Sequence, residues 1–223
     1  MAVPHIFSRG CRNIVDIADA KKKLRVRAME RRRGAHEAAG QEAGDKLARN
    51  VIATGIIGQT DVVSGFWSMG DEIDLLPLLT LLSKNGVICV LPVMEKKAAP
   101  LVFREWRPGI EMHRASFGMM EPTPDSPQHM PTIVVTPLLA FDAEGFRIGY
   151  GGGYYDRTLA ALRAAGPVTA IGVAYEAQEV AEVPRDHFDQ PLDWIVTEIG
   201  ARKFDRTAKA AQGRAESPAE SSS

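Results

Sequence analysis

The sequence predicts a layered α/β protein with a mostly parallel β-sheet that is covered on both faces. Two observations lead to this fold class. Apolar segments of strand length alternate along the chain with segments of helical periodicity, which is typical of βαβ units. The strand segments are also apolar at nearly every position, as expected of parallel strands covered on both faces, and residues 87–93 are the clearest case.

Composition narrows the class of protein without specifying a function. The chain has 223 residues, of which 45% are hydrophobic, enough for the core of one large domain. Its formal net charge of −1 gives no overall field that would attract nucleic acid or a membrane. Cys11 and Cys89 are too few for a disulfide framework, and no apolar stretch approaches the ~18 residues of a membrane span. We therefore expect a cytoplasmic protein, a monomer or weak oligomer, with neither nucleic acid nor membrane as partner.

The same criteria divide the chain into three parts. Residues 1–15 have no clear period and lack the apolar core of a secretory signal, so they are interpreted as an irregular leader. Residues 16–204 are predicted to form a single α/β catalytic domain. Residues 205–223 are rich in Ala, Ser and charge and have no apolar stripe, which predicts a disordered tail.

Two helices are predicted first. Asp16 or Asp19 could cap the first helix, and Gly34 is expected to interrupt it. The simplest interpretation of its basic face is a surface exposed to solvent. Lys21 and Arg25 are four residues apart and share one side, from which two cations could reach a phosphate. The second helix has an apolar residue at every fourth position: Ala39, Ala43, Leu47 and Val51.

The middle of the chain predicts one βαβ unit followed by an edge. Residues 61–67 and 87–93 read as strands around a leucine-rich helix at 74–84. Residues 101–106 alternate in polarity and predict an edge or hairpin strand. The proline-rich residues 107–131 predict an ordered loop near the active edge of the sheet.

The rest of the domain predicts three more strands, at residues 133–136, 168–174 and 193–197. A helix is predicted at residues 154–165, between the first two of these strands. The segment that joins the strand at 133–136 to this helix is rich in glycine, and it carries the strongest functional signal in the chain.

Four glycines fall within five positions of this segment: Gly149, Gly151, Gly152 and Gly153. Glycine lets the backbone adopt φ > 0 and approach a ligand, and successive N–H groups beside a helix N-terminus form an anion site. A tight turn is the alternative. The segment is neither a Walker A motif, which needs Gly-Lys-Ser/Thr, nor a dinucleotide fingerprint, because Tyr154 occupies the third glycine position. Arg147 before it could bind phosphate, and Asp156 after it could either favour the helix dipole or ligate Mg²⁺.

Three motifs together resemble the 5-formyltetrahydrofolate cyclo-ligase family, also called methenyltetrahydrofolate synthetase. They are Lys21-x-x-Leu24-Arg25, Met69-Gly-Asp-Glu-Ile73 and Arg147-Ile-Gly-Tyr-Gly-Gly-Gly-Tyr-Tyr-Asp156, and the resemblance extends from about residue 20 to residue 197. It implies a three-layer α/β/α fold related to sugar-phosphate isomerases and CoA transferases. It also implies an enzyme that uses ATP and Mg²⁺ to convert 5-formyltetrahydrofolate, a reduced folate, to 5,10-methenyltetrahydrofolate, ADP and phosphate.

The resemblance further implies roles for individual residues. Arg147 and Tyr150 would be catalytic, Asp156 and Asp189 would bind the metal, and Trp67, Glu72 and Tyr154 would bind the folate. The implied ATP-binding residues are Lys21, Arg25, Arg147, Ile148, Gly149, Tyr150, Gly151, Gly152, Gly153, Tyr154 and Tyr155. Taken alone, Trp67 is more simply a core residue and Glu72 an acid in the first turn of a helix. Because the loop itself contains no basic residue, Arg147, Lys21 and Arg25 would supply most of the positive charge.

The implied chemistry does not require a covalent nucleophile. Phosphoryl transfer to the formyl oxygen creates a leaving group, and N10 of the same folate then closes the ring, so the protein must mainly position its substrates and neutralise charge. The alternatives are a sugar-phosphate isomerase, a CoA transferase with Glu72 or Glu144 as nucleophile, and a non-catalytic folate or nucleotide binder. An RNA-binding role for the basic helix is less favoured, because the helix lacks interleaved aromatic residues.

Overall fold

A seven-stranded β-sheet forms the centre of the structure, a computed structural model that describes residues 9–115 and 118–205. Four α-helices lie in these residues: α1 (Arg9–Ala39), α2 (Ala43–Ala53), α3 (Leu76–Lys84) and α4 (Tyr154–Ala165). The strands of the first half are β1 (Val62–Ser64), β2 (Ile88–Val93), β3 (Val102–Trp106), β4 (Met112–Arg114) and β5 (Met120–Pro122). Those of the second half are β6 (Ile133–Pro137), β7 (Ala140–Phe141), β8 (Arg147–Ile148), β9 (Thr169–Val173), β10 (Trp194–Val196) and β11 (Ala201–Lys203).

The order of strands in the main sheet is β11-β10-β9-β6-β1-β2-β3. The five inner strands are parallel, with Val63 of β1 opposite both Cys89 of β2 and Ile133 of β6. The two outer strands, β11 and β3, pair antiparallel to their neighbours. Because the inner strands all run in one direction, their carboxyl ends meet at one edge, where ligands bind in open α/β sheets.

Helices cover both faces of this sheet, so the predicted three-layer α/β architecture is confirmed. Strand side chains alternate between faces: Val135 of β6 packs in the cluster that contains Leu47 of α2 and Leu79 of α3. Its neighbour Val134 packs in a second cluster with Leu159 of α4.

Helix α1 contributes Ala35 to the first of these clusters, but its middle turns pack against a third cluster, and this placement prepares the functional site. Its residues Leu24 and Ala28 are buried against Leu139, Ala140 and Ile148, which belong to the β7–β8 hairpin or its approach. The small hairpin carries the glycine-rich segment at its end. The apolar stripe of α1 therefore fixes where the basic side chains of the same helix lie relative to the glycines.

Two predictions about this helix are wrong. It begins at Arg9, within the predicted leader, rather than at Asp16 or Asp19, and residues 1–8 lie outside the described residues. It also continues through Gly34 and ends before Gly40, whose φ of +67° favours glycine. Burial of Ala35 in the core beside α2 explains why the helix extends past Gly34.

The other differences between the predicted and the observed elements concern short strands. The predicted loop at 107–131 contains the β4–β5 hairpin, in which Ser116 and Phe117 are not described. The pairs β7–β8 and β10–β11 were not predicted either. Strands of two or three residues are too short for a visible alternation of polarity, and partners supplied by tertiary contacts decide them. The predicted tail lies outside the described residues from position 206 onward, and within the described residues no helix is long and apolar enough to cross a membrane.

Candidate functional site

A cavity of about 1170 Å³ lies at the carboxyl ends of the parallel strands, bounded by α1, α4 and the glycine-rich segment. Every residue to which the family resemblance assigned a binding, catalytic or metal role lines this cavity, whereas Glu144, the alternative nucleophile of a CoA transferase, is not among the lining residues. The assigned residues are Lys21, Arg25, Trp67, Glu72, Arg147, Ile148, Gly149, Tyr150, Gly151, Gly152, Gly153, Tyr154, Tyr155, Asp156 and Asp189. Residues from four separate parts of the chain are therefore brought to one site, while the role of each remains a prediction.

The glycine loop, residues 149–153, needs glycine at two positions for steric reasons. Gly151 has φ +99° and Gly153 has φ +66°, values that side chains rarely permit. A Cβ on Gly151 would lie 3.1 Å from Cζ of Arg25, and one on Gly153 would lie 2.8 Å from Nη1 of Arg157. The loop thus bends sharply into helix α4, with guanidinium groups packed directly against its backbone.

These two arginines also bind carbonyl groups of the loop. Nε of Arg25 donates to the oxygen of Gly149 (2.9 Å), and Nη2 of Arg157 donates to the oxygen of Gly152 (2.7 Å). Arg157 also lies over the ring of Tyr154, 5.1 Å from its centroid. Arg157 was missed by the sequence analysis, although its position one helical turn after Gly153 was a usable signal. The loop therefore has positive charge on both sides although it contains none itself.

Lys21 is the second cation that α1 contributes to the cavity. Its Nζ lies 2.9 Å from Oδ2 of Asp186 and 2.6 Å from Oδ2 of Asp189. Burial alone disfavours the ammonium, but hydrogen bonds to Asp189 and Asp186 outweigh it and raise the pKa of Lys21 above its ordinary value. Asp186, which was not predicted as a site residue, thus forms a cluster with Lys21 and Asp189, which were.

Arg147 connects the start of α4 to the segment that follows β9. Its Nη2 lies 3.0 Å from Oδ1 of Asp156, and its Nη1 donates to the carbonyl of Gln190. The same Oδ1 accepts the backbone N–H of Gln190 (3.0 Å). Burial lowers the pKa of Arg147 from its ordinary value, yet a guanidinium beside a carboxylate keeps its charge. In this arrangement Arg147 orders the backbone beside the glycine loop.

Glu72 is held by donors on all sides. Its Oε2 accepts the N–H of Met69 (2.9 Å), while its Oε1 accepts the hydroxyl of Tyr150 (3.1 Å) and lies 3.4 Å from Nη1 of Arg32. Burial raises the pKa of Glu72, although these donors oppose the shift. Arg32 is itself buried, pairs with Asp71 at 2.5 Å, and was missed by the sequence analysis. Its spacing of seven residues from Arg25 places both on one face of α1, which is the signal that could have found it.

Trp67 is in the position of both a core residue and a residue of the cavity wall. The side chain is half-buried, packs against the main core cluster and also lines the cavity. An aromatic ring at the end of a core strand can do both, because one face completes the core while the other is left for a ligand.

The described residues do not provide a complete metal cage. Among them, no group of three or more His, Cys, Asp or Glu side chains could hold an ion. Asp156 and Asp189 are each bonded to a cation of the protein through one carboxylate oxygen. Mg²⁺ is usually bound by one or two carboxylates together with substrate phosphates and water, so this pair fits a metal that arrives with a phosphate ligand.

Comparison with known proteins decides the family. A model of the 5-formyltetrahydrofolate cyclo-ligase family matches residues 17–198. The chain belongs to this family. The 5-formyltetrahydrofolate cyclo-ligase of Escherichia coli (strain K12) is 32% identical over 173 residues, which cover 75% of this chain and 94% of that protein. The protein of the same name from Mycolicibacterium smegmatis is 30% identical over 189 residues, covering 80% and 93%.

Solved structures of the cyclo-ligase family agree with this assignment. The NMR structure of Aquifex aeolicus 5,10-methenyltetrahydrofolate synthetase has a TM-score of 0.69 and 28% identity, and covers 82% of this chain and 92% of its own. The synthetase of Mycoplasma pneumoniae shares the fold, with a TM-score of 0.63 at 19% identity and coverage of 80% and 98%. The predicted cyclo-ligase family and the classification of the protein as a ligase are therefore confirmed.

Proposed function

We propose that this protein is a 5-formyltetrahydrofolate cyclo-ligase that forms 5,10-methenyltetrahydrofolate, with conversion of ATP to ADP and phosphate. The observation that carries the proposal is one cavity in which a cation-flanked glycine loop adjoins an apolar wall that contains Phe66, Trp67 and Met94. Its volume of about 1170 Å³ exceeds the roughly 300–1,000 Å³ typical of a pocket for one small ligand. The site therefore has room for a nucleotide and a folate together.

The cations and the glycine loop account for nucleotide binding. Lys21 and Arg25 project from one side of α1, and the loop leads directly into the N-terminus of α4. A helix N-terminus carries unpaired N–H groups and partial positive charge, which favours a phosphate group. Bound ATP would draw Lys21 away from Asp186 and Asp189, because a polyphosphate carries more negative charge than either carboxylate.

The reaction needs positioning more than it needs a reactive side chain. The formyl oxygen attacks the γ-phosphorus of ATP. A bond forms between this oxygen and phosphorus, while the bond between the γ-phosphorus and the ADP oxygen breaks. N10 then attacks the formyl carbon and loses its proton, while the carbon–oxygen bond breaks and phosphate leaves with the former formyl oxygen. Arg25, Arg147 and the loop would hold the phosphoryl group in line and offset its charge, which is the main demand of phosphoryl transfer.

Mg²⁺ would accompany the nucleotide, and Asp156 and Asp189 are the carboxylates that would hold it. When bound, the metal neutralises charge on the phosphate oxygens. Release of Asp189 from Lys21 would leave this carboxylate available at the moment when the phosphates occupy the site. A cytoplasmic location completes the proposal, since a reducing compartment suits the free thiol of Cys89.

A coupled assay tests the proposal. Purified protein is incubated with 5-formyltetrahydrofolate, Mg²⁺ and ATP, and the absorbance of the methenyl product is recorded together with ADP and phosphate. We expect one ADP and one phosphate per methenyl group, and no product when a non-hydrolysable ATP analogue replaces ATP. Failure to form the product at micromolar enzyme, or formation without ATP, would contradict the proposal. The alternative sugar-phosphate isomerase and CoA-transferase activities do not consume ATP, so the same assay distinguishes them.

A further inference from the structure

Glu121 is a buried carboxylate that the proposed reaction does not use. It lies on β5, which packs against β2 and β3, and it lines the cavity next to Met94, Met119 and Met120. The residue is 5% exposed. An acidic side chain in such an apolar wall requires an explanation, because removal of a carboxylate from water is costly unless donors replace the water.

The protein itself provides little of this compensation. Oε1 of Glu121 accepts a long hydrogen bond of 3.3 Å from the backbone N–H of Met94. Oε2 is 4.0 Å from Nε2 of His113, a half-exposed side chain at a distance beyond a hydrogen bond. Among the described residues, no arginine or lysine forms an ion pair with Glu121, in contrast to the carboxylates at the other end of the site. The carboxylate therefore has acceptor capacity that a ligand can use.

Glu72, the other buried acid of the cavity, has no such spare capacity. Both of its oxygens already accept hydrogen bonds, from Met69 (2.9 Å) and from Tyr150 (3.1 Å), and Nη1 of Arg32 lies 3.4 Å away. The two acids also come from different parts of the fold, since Glu72 lies in the segment between β1 and α3, while Glu121 lies on β5 and accepts the N–H of Met94, the residue after β2. Both line the same cavity, so a ligand that fills it would meet each acid with a different part of its surface.

We propose that Glu121 recognises the pterin ring of the folate by accepting hydrogen bonds from its 2-amino group and N3–H. This inference rests on the proposed function, which supplies the folate. A 2-amino-4-oxopterin carries these two donors side by side, with a spacing that matches the two oxygens of a carboxylate. The methionines and Trp67 would pack on the faces of the flat ring, as a largely apolar pocket with few polar groups normally does. Glu121 thus orients the pterin, and the formyl group at N5 is directed towards the glycine loop.

The test combines a variant with a modified ligand. Glu121→Gln keeps the shape of the side chain but removes its charge and replaces one acceptor by a donor. The control is Glu111→Gln, an exposed acid just before β4. Affinity is measured by calorimetry in a saturating non-hydrolysable ATP analogue, first for 5-formyltetrahydrofolate and then for its analogue with a methyl group in place of the 2-amino group. Nucleotide affinity is measured separately.

We expect the Glu121→Gln variant to bind the folate about 10- to 100-fold more weakly, the effect of one charge-assisted hydrogen bond. The affinity of Glu121→Gln for the nucleotide should equal that of the wild-type protein. The control Glu111→Gln should bind both the folate and the nucleotide as tightly as the wild-type protein does. The wild-type protein should lose a similar factor with the 2-methyl analogue, and the variant should lose little more, because each change removes the same contact.

Three results would overturn the assignment. These are an unchanged folate affinity in Glu121→Gln, additive losses from variant and analogue, or equal affinity of the wild-type protein for both ligands. The last comparison needs no variant, so it holds even if Glu121→Gln folds poorly. A wild-type protein that binds no folate at all would remove the proposed function as well, whereas one that binds it without regard to the 2-amino group would remove only the role of Glu121.

Discussion

Nζ of Lys21 lies 2.6 Å from Oδ2 of Asp189, a contact between residues 168 positions apart in the chain. The contact joins the lysine predicted to bind ATP to a carboxylate predicted to bind Mg²⁺. The two ligands are therefore expected to bind together, because phosphate that takes the lysine leaves the carboxylate without its counter-ion. This relationship makes the assignments in the site testable one side chain at a time.

The first prediction concerns Lys21 itself. Lys21→Met should raise the KM for ATP by about 10- to 100-fold, the loss of one charged contact to phosphate, with folate affinity unchanged. Lys22→Met, which removes the same charge from an exposed neighbouring position, serves as the control. Equal effects of the two substitutions would show that only the overall charge of the helix matters.

The second prediction concerns the metal. Asp156→Asn and Asp189→Asn should each increase the Mg²⁺ concentration needed for half-maximal activity by at least about tenfold, since an amide is a much weaker ligand for Mg²⁺ than a carboxylate. Asp186→Asn is the matched control, because Asp186 bonds to Lys21 but is not a predicted ligand. An unchanged Mg²⁺ dependence in both variants would contradict the metal assignment. The two carboxylates would then serve only in their ion pairs with Lys21 and Arg147.

The third prediction concerns the pH dependence of folate use. Burial raises the pKa of Glu72, and the hydroxyl of Tyr150 opposes this by donating to the carboxylate. Tyr150→Phe removes the donor, so the protonated form is favoured and the pKa of Glu72 rises further. If folate binding needs the ionised form, the acid limb of kcat/KM for folate moves to higher pH, by about one unit for one hydrogen bond to a charged group. Tyr154→Phe should leave the limb in place; a shift of the same size in both variants would contradict the assignment.

The fourth prediction concerns Cys89. Burial raises the pKa of this thiol to about 12, so the reactive thiolate is scarce at neutral pH and increases only as the pH approaches that value. In a Cys11→Ser background, thiol reagents at pH 8 should modify the native protein slowly and the urea-unfolded protein rapidly. Rapid modification of the folded protein with loss of activity would place the thiol in or near the catalytic site instead.

The fifth prediction concerns the end of the domain. Phe204 is buried against the α4 side of the sheet, and its N–H donates to the carbonyl of Asp193 (2.9 Å). A chain that ends at residue 205 should keep its activity and stability. A chain that ends at residue 203 should lose about 3 kcal/mol or more of unfolding free energy, the usual cost of deleting a buried aromatic ring. Urea unfolding measures both, and a substantial loss on removal of residues 206–223 alone would assign those residues a role in stability.

Much of the central architecture could be predicted from local patterns. Helix α4 has the predicted bounds, the core strands β1, β2, β9 and β10 lie within the predicted segments, and β6 extends one residue past its predicted end. The predicted segments are apolar at most positions or have a clear helical period, so neighbouring residues along the chain carry the information. The predicted helix break at Gly34 is wrong because it depends on a distant contact. A glycine weakens a helix locally, but burial of Ala35 in the core outweighs that preference.

The sequence by itself determined the order of the elements, the glycine loop and the family motifs, because each of these is encoded in consecutive residues. Only the tertiary structure placed Lys21 beside Asp189, Arg32 beside Glu72 and Glu121 in the wall of the cavity. Such contacts join residues far apart in the chain, and they depend on how α1 and the β4–β5 hairpin pack on the sheet. Burial and electrostatic pairing arise only from that packing, and they distinguish the charged side chains of the site from the many solvated ones.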